Sequence, residues 1–366
     1  MKDNTIKEKV HLSTIDLDSY IKNIPLLIET PIKGKDYIGY GCDNTYPQYL
    51  LKLYDECADH QTIIDGCVNY VMGNGLTIVD QNLLKFSEKV NKDGETLSDV
   101  MRKCELDFQI FGGFAINLIT DKLGTLLEMY YMDFNTLRIN DECSTIYYSK
   151  EWGKWGAKGL EVPSFDATKE QTNSIFYYRG KKTRGVYPTP LYNAALKAIQ
   201  TSIKISDFHL NNITTGFNAN VLVNFFNGSP TPEVQKKIEK DMKAKFSGVD
   251  GDKLLVTFND SKEREVTITR LDDDNLDEKF NTLFKNTQNT IFTSHKVTSP
   301  QLFGVKAENQ GFSKTEFVEA FEIYNSTVIA PLQTDLTSEF GKILSKFFIN
   351  SKIEIIPFSL NTIQTA

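Results

Sequence analysis

The chain has 366 residues, 40% hydrophobic and 24% charged, the balance of a folded protein of two domains or one elaborate one. No apolar run approaches the ~20 residues of a membrane-spanning helix, and the opening MKDNTIKEKVHLSTIDLDSY lacks the apolar core of a secretory signal. The 41 basic residues are outnumbered by 48 acidic ones, net −7, which argues against a protein that grips nucleic acid by neutralising its phosphates. The five cysteines (42, 57, 67, 104, 143) are odd in number and have no CxxC spacing. They read as reduced thiols of a cytosolic setting, not as a zinc ribbon or a disulfide framework.

Residues 1–35 mix polar and apolar side chains without clear period and read as a peripheral arm reaching a neighbour. Tyr40-Gly41-Cys42-Asp43-Asn44-Thr45-Tyr46-Pro47 is a turn-rich loop opening a helix at about Gln48–Cys57. A helix over His60–Met72 stops at Gly73-Asn74-Gly75. Thr96 caps a helix that runs to about Ile110 and halts at Gly112-Gly113, with Leu97, Val100, Met101, Cys104, Phe108 and Phe111 as its buried stripe. Phe114–Ile119 and Leu126–Met132 read as strands about Gly124, and residues 136–180 continue strand-like between turns. The loop Glu151–Lys158 holds both tryptophans. Two readings stand: Trp152 and Trp155 pack on the sheet, or they anchor a subunit contact.

Thr189-Pro190 has the form of an N-cap with proline at the first helical position, predicting a helix to about Thr214. Leu191, Ala195, Ala198, Ile205 and Phe208 form a narrow apolar stripe, suited to helices packed side by side around a ring. Asn220–Phe226 is a short strand, Thr231-Pro232 caps a helix over Glu233–Phe246, and Lys253–Asn259 and Glu265–Leu271 are further β segments. Lys236, Lys237, Lys240, Lys243 and Lys245 cluster on that helix. They form a solvated face, a docking surface for an acidic partner, or a collar touching DNA. Asp272-Asp273-Asp274 and Asp277-Glu278 open the next helix, whose apolar positions are Leu276, Phe280, Leu283, Phe284 and Ile291. These acids read as dipole capping, a divalent metal site, or a negative ring lining a channel. Consecutive aspartates at a helix start cannot all converge on one ion.

The stretch Thr290–Leu344 organises the rest. A helix ends near His295, which reads as a structural residue favoured by the helix dipole. A loop with Pro300, Gly304 and Gly311 follows, and Ser313 with Glu316 forms a capping box. The helix so opened carries Phe317, Ala320, Phe321, Tyr324, Val328, Leu332, Leu336, Phe340, Ile343 and Leu344 at helical spacing, with Pro331 inside the pattern as a kink.

Ser-His-Lys-Val-Thr-Ser-Pro-Gln-Leu-Phe-Gly (294–304), then Asn309-Gln310-Gly311-Phe312, then a helix bearing Ala330-Pro331-Leu332-Gln333, resembles the portal proteins of tailed bacteriophages. The resemblance spans roughly residues 36–345 and rests on the order of several weak motifs, the Asp-Asn-x-Tyr-Pro stretch at Asp43–Pro47 among them. It implies an α+β fold with a wing (1–188 and 313–366), stem helices (189–215 and 272–295), a small α/β clip (216–271), a tunnel loop (296–312) and a long kinked helix. It implies a twelve-fold homo-oligomeric ring at one capsid vertex, with double-stranded DNA passing through it. The partners implied are the large terminase subunit, the major capsid protein and a head–tail adaptor. Many portals continue into a helical crown; with the sequence ending at Ala366, a crown is expected to be small or missing.

In that frame Asp272, Asp273, Asp274, Asp277 and Glu278 form an acidic wall that repels phosphates. Lys306, Glu308, Asn309, Gln310 and Lys314 belong to a loop touching DNA loosely, and Lys236, Lys237, Lys240 and Lys243 to the clip's partner surface. The expectation is a passive conduit with no enzyme activity, no cofactor and no bound metal. The chain lacks G-x-x-x-x-G-K-[ST], H-E-x-x-H and G-x-S-x-G. The rival readings are a metal-dependent DNA-processing enzyme using the aspartates, and a ring-forming virion protein that does not conduct DNA.

Overall fold

The computed structural model describes residues 25–154, 156–181, 183, 185–214, 221–225, 231, 233–234, 236–238, 240, 254–258, 276–305 and 313–358. They form an α+β protein of two compact units. One takes the described residues up to 52, 64–191 and from 325 onward; the other takes 53–63 and those of 192–324.

In the first unit β1 (Glu29–Pro31) and β2 (Ile38–Tyr40) pair antiparallel, Glu29 opposite Tyr40. Three-residue strands are too short to show alternation, which is why an arm was expected here. The Glu29 carboxylate accepts the N–H groups of Val186 and Tyr187, both at 2.9 Å. The turn-rich loop opens α1 (Tyr46–Glu56), and α2 (Ala58–Met72) follows, ending on Gly73 at φ 53°. After β3 (Leu76–Ile78), Asp80 caps α3 (Gln81–Glu88) by accepting from the N–H groups of Asn82 and Leu83. Thr96 and Asp99 cap α4 (Leu97–Phe111) reciprocally, and all six stripe residues expected of it are buried. Gly112 closes α4 at φ 83°, and a Cβ there would lie 2.5 Å from the Thr189 carbonyl oxygen. Only glycine serves both demands.

β4 (Phe114–Thr120) and β5 (Leu126–Met132) form the expected hairpin. β6 (Leu137–Ile139), β7 (Thr145–Tyr148), β8 (Leu160–Pro163) and β9 (Asn173–Tyr178) complete two three-stranded antiparallel sheets, ordered β5-β4-β9 and β6-β7-β8. Trp152 is 7% exposed, donates from Nε1 to the Thr136 carbonyl at 2.6 Å, and meets Tyr37 edge-on. Its ring is core of its own chain, which removes it as a subunit anchor; Trp155 lies outside the described residues.

At the end of the first unit's 64–191 segment the Thr189-Pro190 signal does not open a helix. Thr189 runs along the Gly112 cap instead, a 3₁₀ turn occupies Asn193–Ala195, and α5 (Leu196–Thr214) starts only then. Of the expected stripe, Ala195 and Ile205 are buried while Leu191 and Phe208 are exposed; Leu196, Ile199, Ser202 and Ile203 complete the buried face. β10 (Val221–Phe225) and β11 (Leu254–Phe258) pair in parallel, Val221 opposite Leu254. A parallel pair requires a crossover, and the described residues at 233–234, 236–238 and 240 within it are helical. The strand expected at Glu265–Leu271 lies outside the described residues.

α6 (Leu276–Ser294) packs against α5. α7 (Lys314–Tyr324), a π-helical turn (Asn325–Ile329) and α8 (Ala330–Leu344) run on without a break. The irregularity expected at Pro331 is thus a π turn that ends two residues before it, because proline has no N–H for the helix ladder and its ring crowds the preceding turn. Of the periodic residues of this long helix, Phe321, Tyr324, Leu336, Phe340, Ile343 and Leu344 are buried. β12 (Ile353–Ile355) pairs antiparallel with β3. No helix among the described residues is long and apolar enough to cross a membrane.

Candidate channel helices and loop anchors

The residues singled out in the sequence fall on three features: the α5–α6 pair, the segment joining α6 to α7, and the helix between β10 and β11.

α6 buries Thr287, Ile291 and Phe292 and exposes Leu283 and Phe284, at 45% and 40%. On α5, Phe208 and Leu210 are exposed at 42% and 64%. Exposed apolar side chains such as Leu283 and Phe284 suit a surface covered by another copy. Asp277 and Glu278 are the second and third residues of α6, the turn where the macrodipole favours acids. Asp272, Asp273 and Asp274 lie outside the described residues. Among the described residues no three His, Cys, Asp or Glu side chains are grouped to hold a metal ion.

The exit from α6 is tightly specified. The Lys296 N–H bonds the Thr293 carbonyl at 3.0 Å and the Val297 N–H bonds that of Phe292 at 3.0 Å, with Lys296 at φ 57°. This is a Schellman close with lysine at the left-handed position usually given to glycine, a local cost of about 1 kcal/mol. Ser299 then caps a 3₁₀ turn, Pro300–Phe303, ended by Gly304 at φ 76°. Two contacts fix this run on α7: the Thr298 hydroxyl donates to the Ala320 carbonyl at 2.8 Å, and Phe303 meets the Tyr324 ring at 90° and 5.6 Å. On the far side the Glu316 N–H reaches the Ser313 hydroxyl at 3.3 Å, the serine half of the capping box. Both ends of residues 305–313 are therefore held by α7 or its cap. Lys306, Glu308, Asn309 and Gln310 lie outside the described residues; Lys314 is exposed at the first position of α7. The sequence signalled the turn through Ser299-Pro300 and Gly304, whereas Thr298 and Phe303 carried no signal of their roles.

Lys236, Lys237 and Lys240 are exposed on the helical residues between β10 and β11, and Lys243 lies outside the described residues. His295 follows the last residue of α6, but the dipole is not what governs it. Burial brings its pKa down to about 4, so it is neutral near pH 7. The structural reading of His295 stands, with packing and not helix-end charge as its cause.

No protein-family model matches the chain, and no curated protein matches it in sequence. Solved structures do match in fold. A chain from the neck of an empty gene transfer agent particle, computed with C6 symmetry, has a TM-score of 0.58 at 14% identity, over 87% of this chain and 85% of that one. A chain from the neck of the native particle, computed with C12 symmetry, has a TM-score of 0.52 at 13% identity, over 80% and 78%. A portal protein of the HK97 family of phages, from Corynebacterium diphtheriae, has a TM-score of 0.51 at 14% identity, over 85% and 96%. At these identities the likeness is one of fold. The class is an α+β protein built around a helix pair and a long interrupted helix. The particular fold is that of phage portal proteins, over most of the chain.

Proposed function

We propose that this chain is the subunit of a portal ring: a closed homo-oligomer, twelve-fold in the particle, at one capsid vertex. Double-stranded DNA passes through its channel during packaging, is retained by it, and leaves by it when the tail is attached. The observation that carries the reading is the portal fold over most of the chain, shared with particle necks and an HK97-family portal. The open apolar side chains Leu283 and Phe284 on α6 support a neighbour in a ring.

On this reading residues 189–215 and 272–295 form the stem, 216–271 the clip, 296–312 the tunnel loop, and 1–188 with 313–366 the wing. The chain acts passively and is not an enzyme; ATP hydrolysis belongs to the large terminase subunit, its transient partner. The major capsid protein and a head–tail adaptor are its lasting partners, and Lys236, Lys237, Lys240 and Lys243 lie on the clip surface that faces the packaging motor and later the adaptor. It works in the host cytoplasm during assembly and at the portal vertex of the virion afterwards. Asp272, Asp273, Asp274, Asp277 and Glu278 line the channel and keep phosphates from adhering, since each neutralised phosphate adds affinity that movement must break. Lys306, Glu308, Asn309, Gln310 and Lys314 touch the backbone loosely.

Labelling a tagged chain on purified particles tests the assignment, and one marked vertex per particle is expected. Label spread over the shell or along the tail overturns it. Replacing Asp272, Asp273, Asp274 and Asp277 by Asn tests the wall. DNA should then adhere to rings in a salt-sensitive way with folding intact. Lower thermal stability with unchanged DNA retention makes the acids helix caps, and wild-type stability lost to chelator makes them a metal site.

A further inference from the structure

A cluster in the second unit serves none of these roles. His60 on α2 is fully buried, and its Nδ1 lies 2.9 Å from Nε2 of His295, which is partly exposed at the end of α6. Tyr192, also buried, closes the cluster: its ring stands edge-on to His60 at 4.3 Å and stacks on His295 at 5.3 Å. The other ring nitrogen of His60, Nε2, is buried and has no hydrogen-bond partner among the described residues.

Protons decide what this pair can do. The Nδ1···Nε2 contact needs one hydrogen, which two neutral imidazoles supply from either side. One added proton is tolerable, because an imidazolium at His295 can still donate to His60. A second sets two N–H groups and two positive charges against each other, with no acceptor for the Nε2–H of His60. The charged and titratable groups on the surrounding elements do not offset this. Asp59 on α2 accepts from Gln288 at 3.0 Å, and Lys204 and Asp207 on α5 pair with each other at 2.7 Å. The Cys57 thiol, ahead of α2, is kept protonated by burial, and Lys296, next in the chain to His295, is basic.

We propose that His60 and His295 form an acid-released latch, which at neutral pH pins the end of α6, and so the base of the segment leading to 296–305, onto α2. The sign follows from linkage. Both folded values lie below the ordinary 6.5, His295 at about 4 and His60 well below its usual range. The opened state therefore binds more protons, and the latch weakens progressively as pH falls from about 6.5 toward 4. Two imidazoles alone do not make a metal site, and no third ligand joins them among the described residues.

Hydrogen exchange of the full chain at about pH 7.5 and about pH 5, corrected for intrinsic rates, tests the latch. Local opening over residues 285–297 and 58–64 should rise about tenfold or more at the lower pH, while residues 114–120 in β4 stay protected. His60→Gln should at least halve the pH response on a logarithmic scale, whatever it does to baseline stability, because one of the two titrating rings is gone. If that variant does not fold, His295→Gln, at the more exposed position, should at least halve the response. The proposal is overturned by a wild type without pH response, by a response shared with β4, or by variants that respond like wild type. It is equally overturned if Zn²⁺ protects residues 285–297 and chelator reverses that protection, since the pair then serves a metal.

Discussion

Arg138 holds Asn44 at two points, Nε donating to Oδ1 and Nη2 to the main-chain oxygen, both at 2.6 Å. Its Nη1 takes the carbonyls of Asn135 and Leu137, so every acceptor is neutral. The guanidinium has no exposure and lies 5.0 Å from the Trp152 ring centre and 5.6 Å from that of Tyr40. A buried cation without a carboxylate partner is tolerable only where its whole fork is hydrogen-bonded and flanked by π faces. Asn44, at φ 61°, also accepts the Tyr40 N–H at 3.0 Å. The Asp43–Pro47 loop is thereby fixed to β6, ninety-four residues away in the chain.

Arg138→Ala should lower the stability of the first unit by about 3 kcal/mol, as a broken buried network does. Asn44→Gly keeps the left-handed backbone and removes only the side-chain acceptor. A double-mutant cycle in urea should return a coupling of about 1–3 kcal/mol. Additive effects would mean that the two residues act separately.

Glu105 gives the first unit an opposite response to alkali. It is 1% exposed, accepts from Gln109 Nε2 at 2.7 Å, and burial raises its pKa to about 8. A carboxyl with a raised folded value stabilises fully below the unfolded value, near 4.3, and that contribution fades as pH rises toward 8. Glu105→Gln keeps the acceptor and removes the charge. The variant should melt higher than wild type at about pH 8 and nearly level with it at about pH 5. A gap of equal size at both pH values would refute a neutral Glu105.

The helix pair makes a prediction about assembly. Leu283→Ser with Phe284→Ser removes apolar surface worth about 1.5–3 kcal/mol per side chain when covered. Because both are exposed in the single chain, thermal stability of the monomer should hardly change while rings fall apart to monomers in light scattering. Intact rings would mean that a different face of α6 meets the neighbour.

Much of this was legible in the sequence, and the failures have physical causes. Thr96 and Gly112 marked both ends of α4 because capping chemistry is local, though the reciprocal bond from Asp99 was not foreseen. Pro331 announced an interruption but not the π turn that absorbs it. Thr189-Pro190 carried a genuine helix-start signal that tertiary packing overrode, since Thr189 lies against Gly112. The partners of Arg138, the burial of Trp152 and the pairing of His60 with His295 had no signal, because each joins residues far apart in the chain or depends on a fold not yet assembled. The loop residues Lys306 to Gln310 stand on sequence alone.

Deleting Glu308–Gln310 tests that loop. Its two ends are anchored independently through Thr298, Phe303 and Ser313, so rings and procapsids should form normally. Packaged DNA should be shorter or should leak. Full-length, stably retained DNA would remove the loop from the channel, and failed ring assembly would make it an interface element.

A portal subunit must close into a ring wide enough for duplex DNA, which averaged electron micrographs of the purified protein viewed down the symmetry axis will reveal. Rings with a bore of at least ~20 Å are expected, the order set by the groove dimensions of the duplex, with α5 and α6 around it. A monodisperse monomer at tens of micromolar, or rings whose bore is too narrow for DNA, would contradict it.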